Sequence, residues 1–479
     1  MRFGIIGAGM AGILSAIQLR EAGYDDFAVY EKADRPGGTW RENTYPGLSC
    51  DVPSHLYSYS FEPNPGWSHR YSPGPEIQAY FEDVVRRHRV DERVRYGDEV
   101  TRCAFEGGRW QITTASGHRD AVDVVIAATG VLHHPRVPEF EGLERFAGNW
   151  FHSARWDHSV PIDGRRVGVV GTGSTAVQIT GAVVDRVAHY ALFQRTAQWI
   201  MPVDNPPYSD EEKAEFQDPS VLRALYDDLN RLFAESLSNG VVDAESEMMK
   251  GIEAATRANL EESVRDPVLR EKLRPDYRAA CKRLVISGDF YRAIQAPNAE
   301  LVTEGIVRVE PEGVRTADGR LHELDVLVLA TGFRADRFMR PMQVIGRDGV
   351  SLDEIWARRP SAYLSISIPD FPNFFMLNGP NGPVGNFSLI GIAELQFGYI
   401  LQLVEWLRSG RCREVCARAD ALEAFEAERV AATRNTIWST GCRSWYLDDR
   451  GIPAAWPWKF QRFQEEMAAP KPEAYEQVG

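Results

Sequence analysis

The stretch Gly7-Ala8-Gly9-Met10-Ala11-Gly12 lies between a short apolar run, Arg2 to Ile6, and a helical pattern, Ile13 to Ala22. A second apolar run, Phe27 to Tyr30, follows and leads into Glu31. The three glycines allow a tight turn, close approach to a pyrophosphate and packing of the helix on the strand. Glu31 is placed to accept hydrogen bonds from both hydroxyls of an unphosphorylated ribose. The pattern predicts an α/β unit that binds the AMP half of FAD.

A second unit of the same kind begins at Arg166 to Val170 and continues through the turn Gly171-Thr172-Gly173-Ser174-Thr175-Ala176. Ala176 takes the place of the third glycine, as this fingerprint permits. The next strand, His189 to Phe193, is followed by Gln194-Arg195-Thr196, so that a cation stands near the position of the first unit's carboxylate. Because arginine suits a 2′-phosphate, the second unit is predicted to bind NADPH.

The rest of the chain is organised around these two units. The β-rich runs Val122 to Thr129 and Asp325 to Thr331 lead into Ala128-Thr129-Gly130 and Ala330-Thr331-Gly332, and each run is placed to close a nucleotide domain. A charged segment from Ser209 to about Tyr277, rich in Glu, Ala, Leu and Arg, predicts a helical insertion. We therefore expect an α/β fold with two Rossmann-like dinucleotide-binding domains. The FAD domain is expected over 1–132 and 336–479, the NADP domain over 133–202 and 282–335, and the insertion over 203–281.

The composition excludes several classes of function. The 479 residues include 54 Lys and Arg against 68 Asp and Glu, and the resulting charge of −14 disfavours nucleic acid and acidic membrane surfaces as partners. No run approaches the length of a membrane span. Six cysteines in so long a chain do not predict a disulfide framework, and we expect a cytoplasmic protein. The sequence does not indicate an oligomeric state.

Two small groups of potential ligands do not predict a metal site. His133 and His134 are adjacent and lack the spacing of helical ligands. Cys412 and Cys416 lie in a charged segment that is expected to be exposed. No metal is expected.

Two longer motifs resemble those of the type I Baeyer–Villiger monooxygenases. The first comprises Gly37-Gly38-Thr39-Trp40, then Tyr45-Pro46-Gly47, then Asp51. The second is Phe146-Ala147-Gly148-Asn149-Trp150-Phe151-His152-Ser153-Ala154-Arg155-Trp156-Asp157, which agrees with the family fingerprint at every fixed position. The resemblance extends from the first strand to the Trp-rich tail, and the helical insertion is its least diagnostic part.

The resemblance implies a flavoenzyme that oxidises NADPH, traps dioxygen as a C4a-peroxyflavin and inserts one oxygen atom beside a ketone carbonyl to give an ester or lactone. In Lys282-Arg283 it implies that the arginine reaches the flavin and the lysine the NADP phosphate, with Asp51 as partner of the arginine. Leu284 follows where the family often has proline, so the shape of this loop is not implied. Further cofactor contacts implied in the same way are Thr39, Trp40, Tyr57, Val100 and Trp445.

The chemistry explains why an arginine belongs at such a site. Attack of a peroxide anion on a ketone leaves an anionic adduct, and the permanently cationic Arg283 would stabilise both anions while Asp51 aims it. His152 has no obvious proton to remove in this reaction, so we expect it to have a structural or conformational role.

Three alternative functions compete with this assignment. A flavin-dependent disulfide reductase would need a redox cysteine pair, and Cys50 has no partner within several residues. An N- or S-oxygenating flavin monooxygenase, which uses a protonated hydroperoxide, would have less need of Arg283. A non-catalytic nucleotide-binding protein would explain the two domains but not the pairing of Arg283 with Asp51.

Overall fold

The computed structural model describes residues 1–385 and 387–479, and two five-stranded parallel sheets form its centre. Phe3 pairs with Phe27 on one side and with Val124 on the other, so the first strand is central in its sheet. Its residues are all buried, which explains an apolar run without alternation. In spatial order the first sheet consists of Phe374–Met376, Val124–Ala127, Phe3–Ile6, Phe27–Tyr30 and Val94–Arg95.

The second sheet repeats this arrangement around its own glycine turn. Its central strand, Arg166–Val170, pairs in parallel with the strands on both sides. In spatial order the sheet consists of Ala299–Val302, His189–Phe193, Arg166–Val170, Val326–Leu329 and Asn149–His152. The predicted α/β fold with two Rossmann-like sheets is confirmed.

A helix follows each glycine turn, Met10–Glu21 in the first unit and Ser174–Val183 in the second. The first helix begins three residues before the predicted Ile13, because Gly9 already serves as its N-cap. Glycine is required at two positions of this turn. Gly7 has φ of 104°, and a Cβ on Gly12 would lie 1.8 Å from the Gly7 carbonyl oxygen.

The insertion is helical, as predicted, and its helix starts are marked by polar N-caps. Ser209 forms a capping box with Glu212, and Asp218, Ser246 and Asp266 each accept hydrogen bonds from the first turn of the helix that follows. A π-helical segment, Ala234–Ser238, interrupts the α-helical regions. The α-helices of the insertion are Asp210–Glu215, Pro219–Phe233, Asn239–Val241, Glu247–Ser263 and Pro267–Lys272.

Smaller elements surround the two sheets. A four-stranded sheet contains Gln343–Ile345, Val100–Glu106, Arg109–Thr114 and Arg119–Val122, and a three-stranded sheet contains Ile306–Glu310, Gly313–Thr316 and Leu321–Glu323. Two further pairs join Ile200–Met201 to Val285–Ile286 and Glu414–Ala417 to Tyr475–Val478. The remaining α-helices are Thr39–Glu42, Gly74–Arg87, Phe290–Ala293, Leu352–Ile355, Leu389–Arg408, Ala419–Ala432 and Phe460–Ala468.

The expected exposure of Cys412 and Cys416 is wrong. Cys416 lies in the strand Glu414–Ala417, and both thiols are buried. The neighbouring charged side chains remain accessible to solvent, whereas the two cysteine side chains point into the core. The charge of the surrounding sequence therefore does not predict the burial of these cysteines. Among the described residues no group of three or more His, Cys, Asp or Glu side chains could hold a metal ion. No described helix is long and apolar enough to cross a membrane.

One disulfide bond occurs, although the sequence did not predict any. It joins Cys281 to Cys442, which are 161 residues apart, and both residues are buried. The bond connects the segment that carries Lys282 and Arg283 to the Trp-rich tail. No spacing rule could have paired these cysteines, because only the fold brings the two segments together.

The disulfide makes the cysteine chemistry of the protein testable. We expect four of the six cysteines to react with iodoacetamide in unfolded, unreduced protein, and all six after reduction. Cys442→Ser should lower the free energy of unfolding by about 2–5 kcal/mol, because the crosslink restricts the unfolded chain. Mass spectrometry and denaturant unfolding check these outcomes. In the variant a reductant should have no further effect on stability, and six reactive thiols in the unreduced wild type would contradict the bond.

Candidate active site

The first glycine turn lies at the carboxyl end of the first sheet and is tied to Glu31. The Glu31 carboxylate is buried and accepts hydrogen bonds from the backbone N–H groups of Ala8, at 2.8 Å, and Ala33, at 2.9 Å. Arg41 lies 3.2 Å from the same carboxylate. A carboxylate has about four acceptor positions, so these bonds leave acceptor capacity for a ribose hydroxyl. The acidic residue and the turn therefore form one structural unit.

The first family motif packs on this turn through Gly38 and carries Trp40, which bonds to Tyr57 outside the motif. Thr39 begins the short helix Thr39–Glu42, and the Trp40 indole N–H donates to the Tyr57 hydroxyl at 3.1 Å. Gly9 and Gly38 approach so closely that a Cβ on Gly38 would lie 3.0 Å from the Gly9 Cα. Val100 is buried at the start of its strand and packs in a different part of the core, the cluster that contains Ile6 and Tyr30.

The same motif also contacts the second nucleotide unit, which the sequence did not reveal. The Tyr45 hydroxyl donates to Gln178 Oε1 at 2.9 Å, and Gln178 Nε2 donates to the Ser49 carbonyl at 3.0 Å. A Cβ on Gly47 would lie 2.5 Å from the Gln178 carbonyl oxygen. The chain between Tyr45 and Ser49 therefore packs directly on the helix Ser174–Val183. No pattern in the sequence marked Gln178, since its role depends on the contact between the two units.

Arg283 and Asp51 form an ion pair across 232 residues of sequence. Arg283 Nε and Nη2 donate to one Asp51 carboxylate oxygen at 2.9 and 2.6 Å. Burial lowers the pKa of the guanidinium, but Asp51 and Tyr446 raise it by more, so that the pKa of Arg283 lies above its ordinary value. Arg283 thus remains a cation at every physiological pH.

The ion pair borders a cavity of about 50 Å³. The cavity also contacts Tyr446 and several apolar side chains, including Phe233, Leu237, Val241, Phe387 and Trp438. Three of these apolar residues belong to the insertion or to its π-helical segment. The insertion therefore contributes to the surroundings of Arg283, although its sequence carried no sign of this role.

The second glycine turn has two cations nearby. Arg195 is exposed just after the strand His189–Phe193, and Lys282 lies close enough that Arg195 contributes to its pKa. Burial is the larger cause, and together the two effects lower the pKa of the Lys282 ammonium. Lys282 Nζ also lies 4.5 Å from the centre of the Tyr277 ring.

The turn itself provides further groups for a phosphate. The Thr172 hydroxyl donates to the Thr196 carbonyl at 2.6 Å and so joins the turn to the end of the next strand. A Cβ on Gly173 would meet no atom within 4 Å, which leaves open space before the helix that begins at Ser174 and includes Thr175 and the buried Ala176. Helix N-termini of this kind present free N–H groups to anions.

Trp445 and Tyr446 lie side by side in the Trp-rich tail but differ in burial. The Trp445 side chain is 46% exposed, whereas Tyr446 is 3% exposed and borders the Arg283 cavity. Their ring centres are 4.2 Å apart. The sequence singled out Trp445 by its motif and missed Tyr446.

Comparison with known proteins shows the family. Residues 4–210 match the family described as Pyridine nucleotide-disulphide oxidoreductase. The chain is 48% identical over 476 residues to an uncharacterized monooxygenase of Mycobacterium tuberculosis, covering 98% of this chain and 95% of the relative. It is 37% identical over 475 residues to a Baeyer–Villiger monooxygenase of Streptomyces coelicolor, and the alignment covers 97% of this chain and 90% of the relative. The chain belongs to the type I Baeyer–Villiger monooxygenases.

Solved structures agree with this family assignment. The structure of cyclohexanone monooxygenase from Rhodococcus sp. Phi1 bound to NADP⁺ superimposes on the present chain with a TM-score of 0.88. The two sequences are 29% identical, and the superposition covers 100% of this chain and 99% of the Rhodococcus chain. OTEMO in complex with FAD and NADP gives a TM-score of 0.90 at 25% identity, with the same coverage.

The description of the matching family names disulphide oxidoreductases, but a redox cysteine pair that includes Cys50 does not occur in this monooxygenase. Cys50 is the cysteine next to Asp51, and its thiol is free. Burial and the Asp51 carboxylate raise the pKa of that thiol, so it does not form a reactive thiolate.

His152 of the family fingerprint joins the ends of two neighbouring strands. Its Nε2 lies 3.0 Å from the Gly332 carbonyl, and its Nδ1 accepts a hydrogen bond from the Ala154 N–H at 3.1 Å. A carbonyl can only accept, so Nε2 carries the proton and the ring is neutral. Burial lowers the pKa of His152 to about 4. His152 therefore acts in the monooxygenase as a neutral bridge between the fingerprint and the Ala-Thr-Gly turn.

This geometry predicts a dependence of stability on pH. His152 stays neutral in the folded enzyme down to about pH 4, whereas in the unfolded chain it takes up a proton near its ordinary pKa of 6.5. Its contribution is therefore complete above pH 6.5 and is lost as the pH falls towards 4. Between pH 7 and 4.5 the wild type should lose about 2 kcal/mol more stability than His152→Gln, as measured by urea unfolding. Equal losses would contradict the neutral buried state.

Proposed function

We propose that this monooxygenase binds FAD at the first sheet and NADPH at the second, and uses dioxygen to convert a ketone into an ester or lactone. The observation that carries the proposal is the Arg283–Asp51 ion pair beside a mainly apolar cavity. We further propose the domain boundaries given above, with the FAD domain formed by 1–132 and 336–479 and the NADP domain by 133–202 and 282–335.

The residues of the first unit fit FAD. Gly7, Gly9 and Gly12 form a turn that has no room for side chains at Gly7 and Gly12, and Glu31 is held beside it by the Ala8 amide. Trp40 and Tyr57 are fixed to each other near the same turn and supply aromatic surface. We assign these residues, with Thr39 and Val100, to FAD binding.

The residues of the second unit fit NADPH. Arg195 and Lys282 bring two positive charges together. Burial, and after it the repulsion from Arg195, lower the pKa of Lys282, and a 2′-phosphate would relieve that repulsion. The turn Gly171 to Ala176 would hold the pyrophosphate, and Thr196 fixes that turn through its carbonyl. We assign Trp445 to the nicotinamide side of the site, in the same tail as Tyr446.

When bound, FAD supplies the redox chemistry by accepting a hydride from NADPH and activating dioxygen. Arg283 supplies a permanent positive charge beside the ketone. Two of its five N–H donors are used by Asp51, and three remain for other partners. Asp51 fixes the direction of the guanidinium, so that little reorganisation is needed when negative charge develops on the substrate.

The apolar neighbours of Arg283 have a second role. Phe233, Phe387 and Trp438 limit the access of water to the ion pair, which strengthens the interaction between the guanidinium and an anion. They also favour a ketone with apolar substituents. A sulfide or amine could enter the same cavity, so oxygenation at sulfur or nitrogen is the alternative that the product experiment must separate.

The product of aerobic turnover tests the activity. With NADPH, labelled dioxygen and a panel of cyclic, linear and aryl ketones plus one sulfide, mass spectrometry should find an ester or lactone with one labelled oxygen. Arg283→Ala should retain FAD and oxidise NADPH but form ester at a rate lower by about 10²–10³-fold, releasing hydrogen peroxide instead.

The same panel defines the outcomes that oppose the proposal. Sulfoxide without ester from the wild type would favour the N- or S-oxygenating alternative. Normal ester yield from Arg283→Ala would exclude the assigned role of the guanidinium. Arg145→Ala is a matched control, because Arg145 is exposed and its ion pair is with Glu144, a neighbour on the surface.

Nucleotide preference tests the two cations. Arg195→Ala and Lys282→Ala should each raise the KM for NADPH about tenfold or more and leave the KM for NADH nearly unchanged, because only NADPH carries the 2′-phosphate. Steady-state oxidation of the two nucleotides measures this ratio. Arg186→Ala, which removes an exposed arginine paired with Asp163 in the same unit, should behave as the wild type. Equal effects on NADPH and NADH would contradict the assignment.

A further inference from the structure

The Tyr446 hydroxyl is an uncharged polar group that interacts with the Arg283–Asp51 pair beside the cavity. The neighbouring Arg283 guanidinium has N–H donors only and no acceptor. Tyr446, Arg283 and Asp51 all border the same cavity. The three side chains come from segments far apart in sequence, so no motif links them.

The position of Tyr446 is fixed on several sides. Its carbonyl accepts a hydrogen bond from the Ala454 N–H at 2.7 Å, and its ring lies 5.5 Å from that of Trp438. The hydroxyl oxygen packs against the chain at Gly385, where a Cβ would lie 2.1 Å away. A larger residue at Gly385 would therefore displace the hydroxyl.

The disulfide adds a covalent restraint to this arrangement. Cys281 stands two residues before Arg283, and Cys442 stands four residues before Tyr446. The bond between them holds the two segments together, so the guanidinium and the hydroxyl are kept as neighbours. Stabilisation of a charge by preorganised groups requires that those groups, here the Arg283 guanidinium and the Tyr446 hydroxyl, are held in place before the charge develops.

Tyr446 keeps its own proton available. Burial raises the pKa of the phenol, and Arg283 lowers it by less, so the group remains protonated near neutral pH. Because a guanidinium has no acceptor, Arg283 cannot take up the O–H of Tyr446, which is left to donate to another partner. The positive charge behind the oxygen polarises the O–H bond and makes it a stronger donor than an isolated tyrosine.

We propose that Tyr446 is a further catalytic residue: its hydroxyl donates a hydrogen bond to the ketone carbonyl oxygen and stabilises the negative charge that develops there during oxygen transfer. No proton is transferred in this step. Asp51 orients Arg283, Arg283 polarises Tyr446, and Tyr446 contacts the substrate. The inference rests on the proposed function, since it assigns the substrate carbonyl to the Arg283 cavity.

Binding without turnover provides the first test. In oxidised holoenzyme with NADP⁺, calorimetry compares cyclohexanone with methylenecyclohexane, which has a similar shape but no carbonyl oxygen. The wild type should bind the ketone more tightly. Tyr446→Phe should weaken binding of cyclohexanone about fivefold, the usual effect of losing one hydrogen bond, and leave binding of methylenecyclohexane unchanged.

Turnover provides the second test. Tyr446→Phe should retain FAD, reduce it with NADPH at the wild-type rate and form lactone from cyclohexanone about 10²-fold more slowly. Tyr399→Phe is the matched control, because it removes another buried hydroxyl, one that accepts from the Tyr475 hydroxyl at 3.0 Å outside the cavity. This control should match the wild type in both tests.

The outcomes separate this inference from the proposed function. Ketone binding and lactone formation within twofold of the wild type in Tyr446→Phe would overturn the role of the hydroxyl. Equal weakening of both ligands, or loss of FAD, would also overturn it, since the hydroxyl would then serve structure alone. A wild type that makes no ester from any ketone would instead overturn the proposed function.

Discussion

The ion pair between Asp51 and Arg283 is the interaction on which the rest of the site depends. Asp51 ends the motif that starts at Gly37, beside the first nucleotide turn, and Arg283 stands where the chain returns from the insertion to the second nucleotide unit. The pair therefore fixes the two nucleotide units relative to each other at the cavity. A cation left there without its carboxylate would be costly, because part of its surface is removed from water. The Asp51 carboxylate stabilises the permanent positive charge of Arg283 next to the apolar side chains of the cavity.

In the proposed function, the positive charges of Arg195, Lys282 and Arg283 serve two separate purposes. Arg195 and Lys282 form a cluster suited to a phosphate, and the Asp276 carboxylate raises the pKa of Lys282 by less than burial and Arg195 lower it. Arg283 is adjacent to Lys282 in sequence but has its charge balanced by Asp51. On this proposal, the adjacent residues Lys282 and Arg283 belong to two sites with opposite requirements. Binding of the nucleotide needs an unsatisfied cation, whereas stabilisation of a transient anion needs one that is already oriented.

The fold was predictable because it rests on local rules. The absence of side chains at Gly7 and Gly12 is a steric requirement of the turn, and buried parallel strands appear as unbroken apolar runs such as Phe3–Ile6. Asp51 and Arg283 were found only through their family motifs, since nothing in their spacing of 232 residues indicates a contact. Gln178, Tyr446 and the bond between Cys281 and Cys442 were missed. Their roles depend on contacts between segments that are distant in sequence, and neither hydrophobic periodicity nor residue spacing predicts such contacts.

The disulfide also has a mechanical consequence. The chain from Cys281 to Cys442 forms a closed covalent ring that contains strands of both sheets, Ala299–Val302 and Val326–Leu329 of the second and Phe374–Met376 of the first. The two nucleotide units are thereby linked by the ring as well as by the crossing chains. Such a linkage permits rotation of one unit against the other but resists their separation. Any relative movement of the two units must therefore keep the Arg283 segment joined to the tail that carries Cys442.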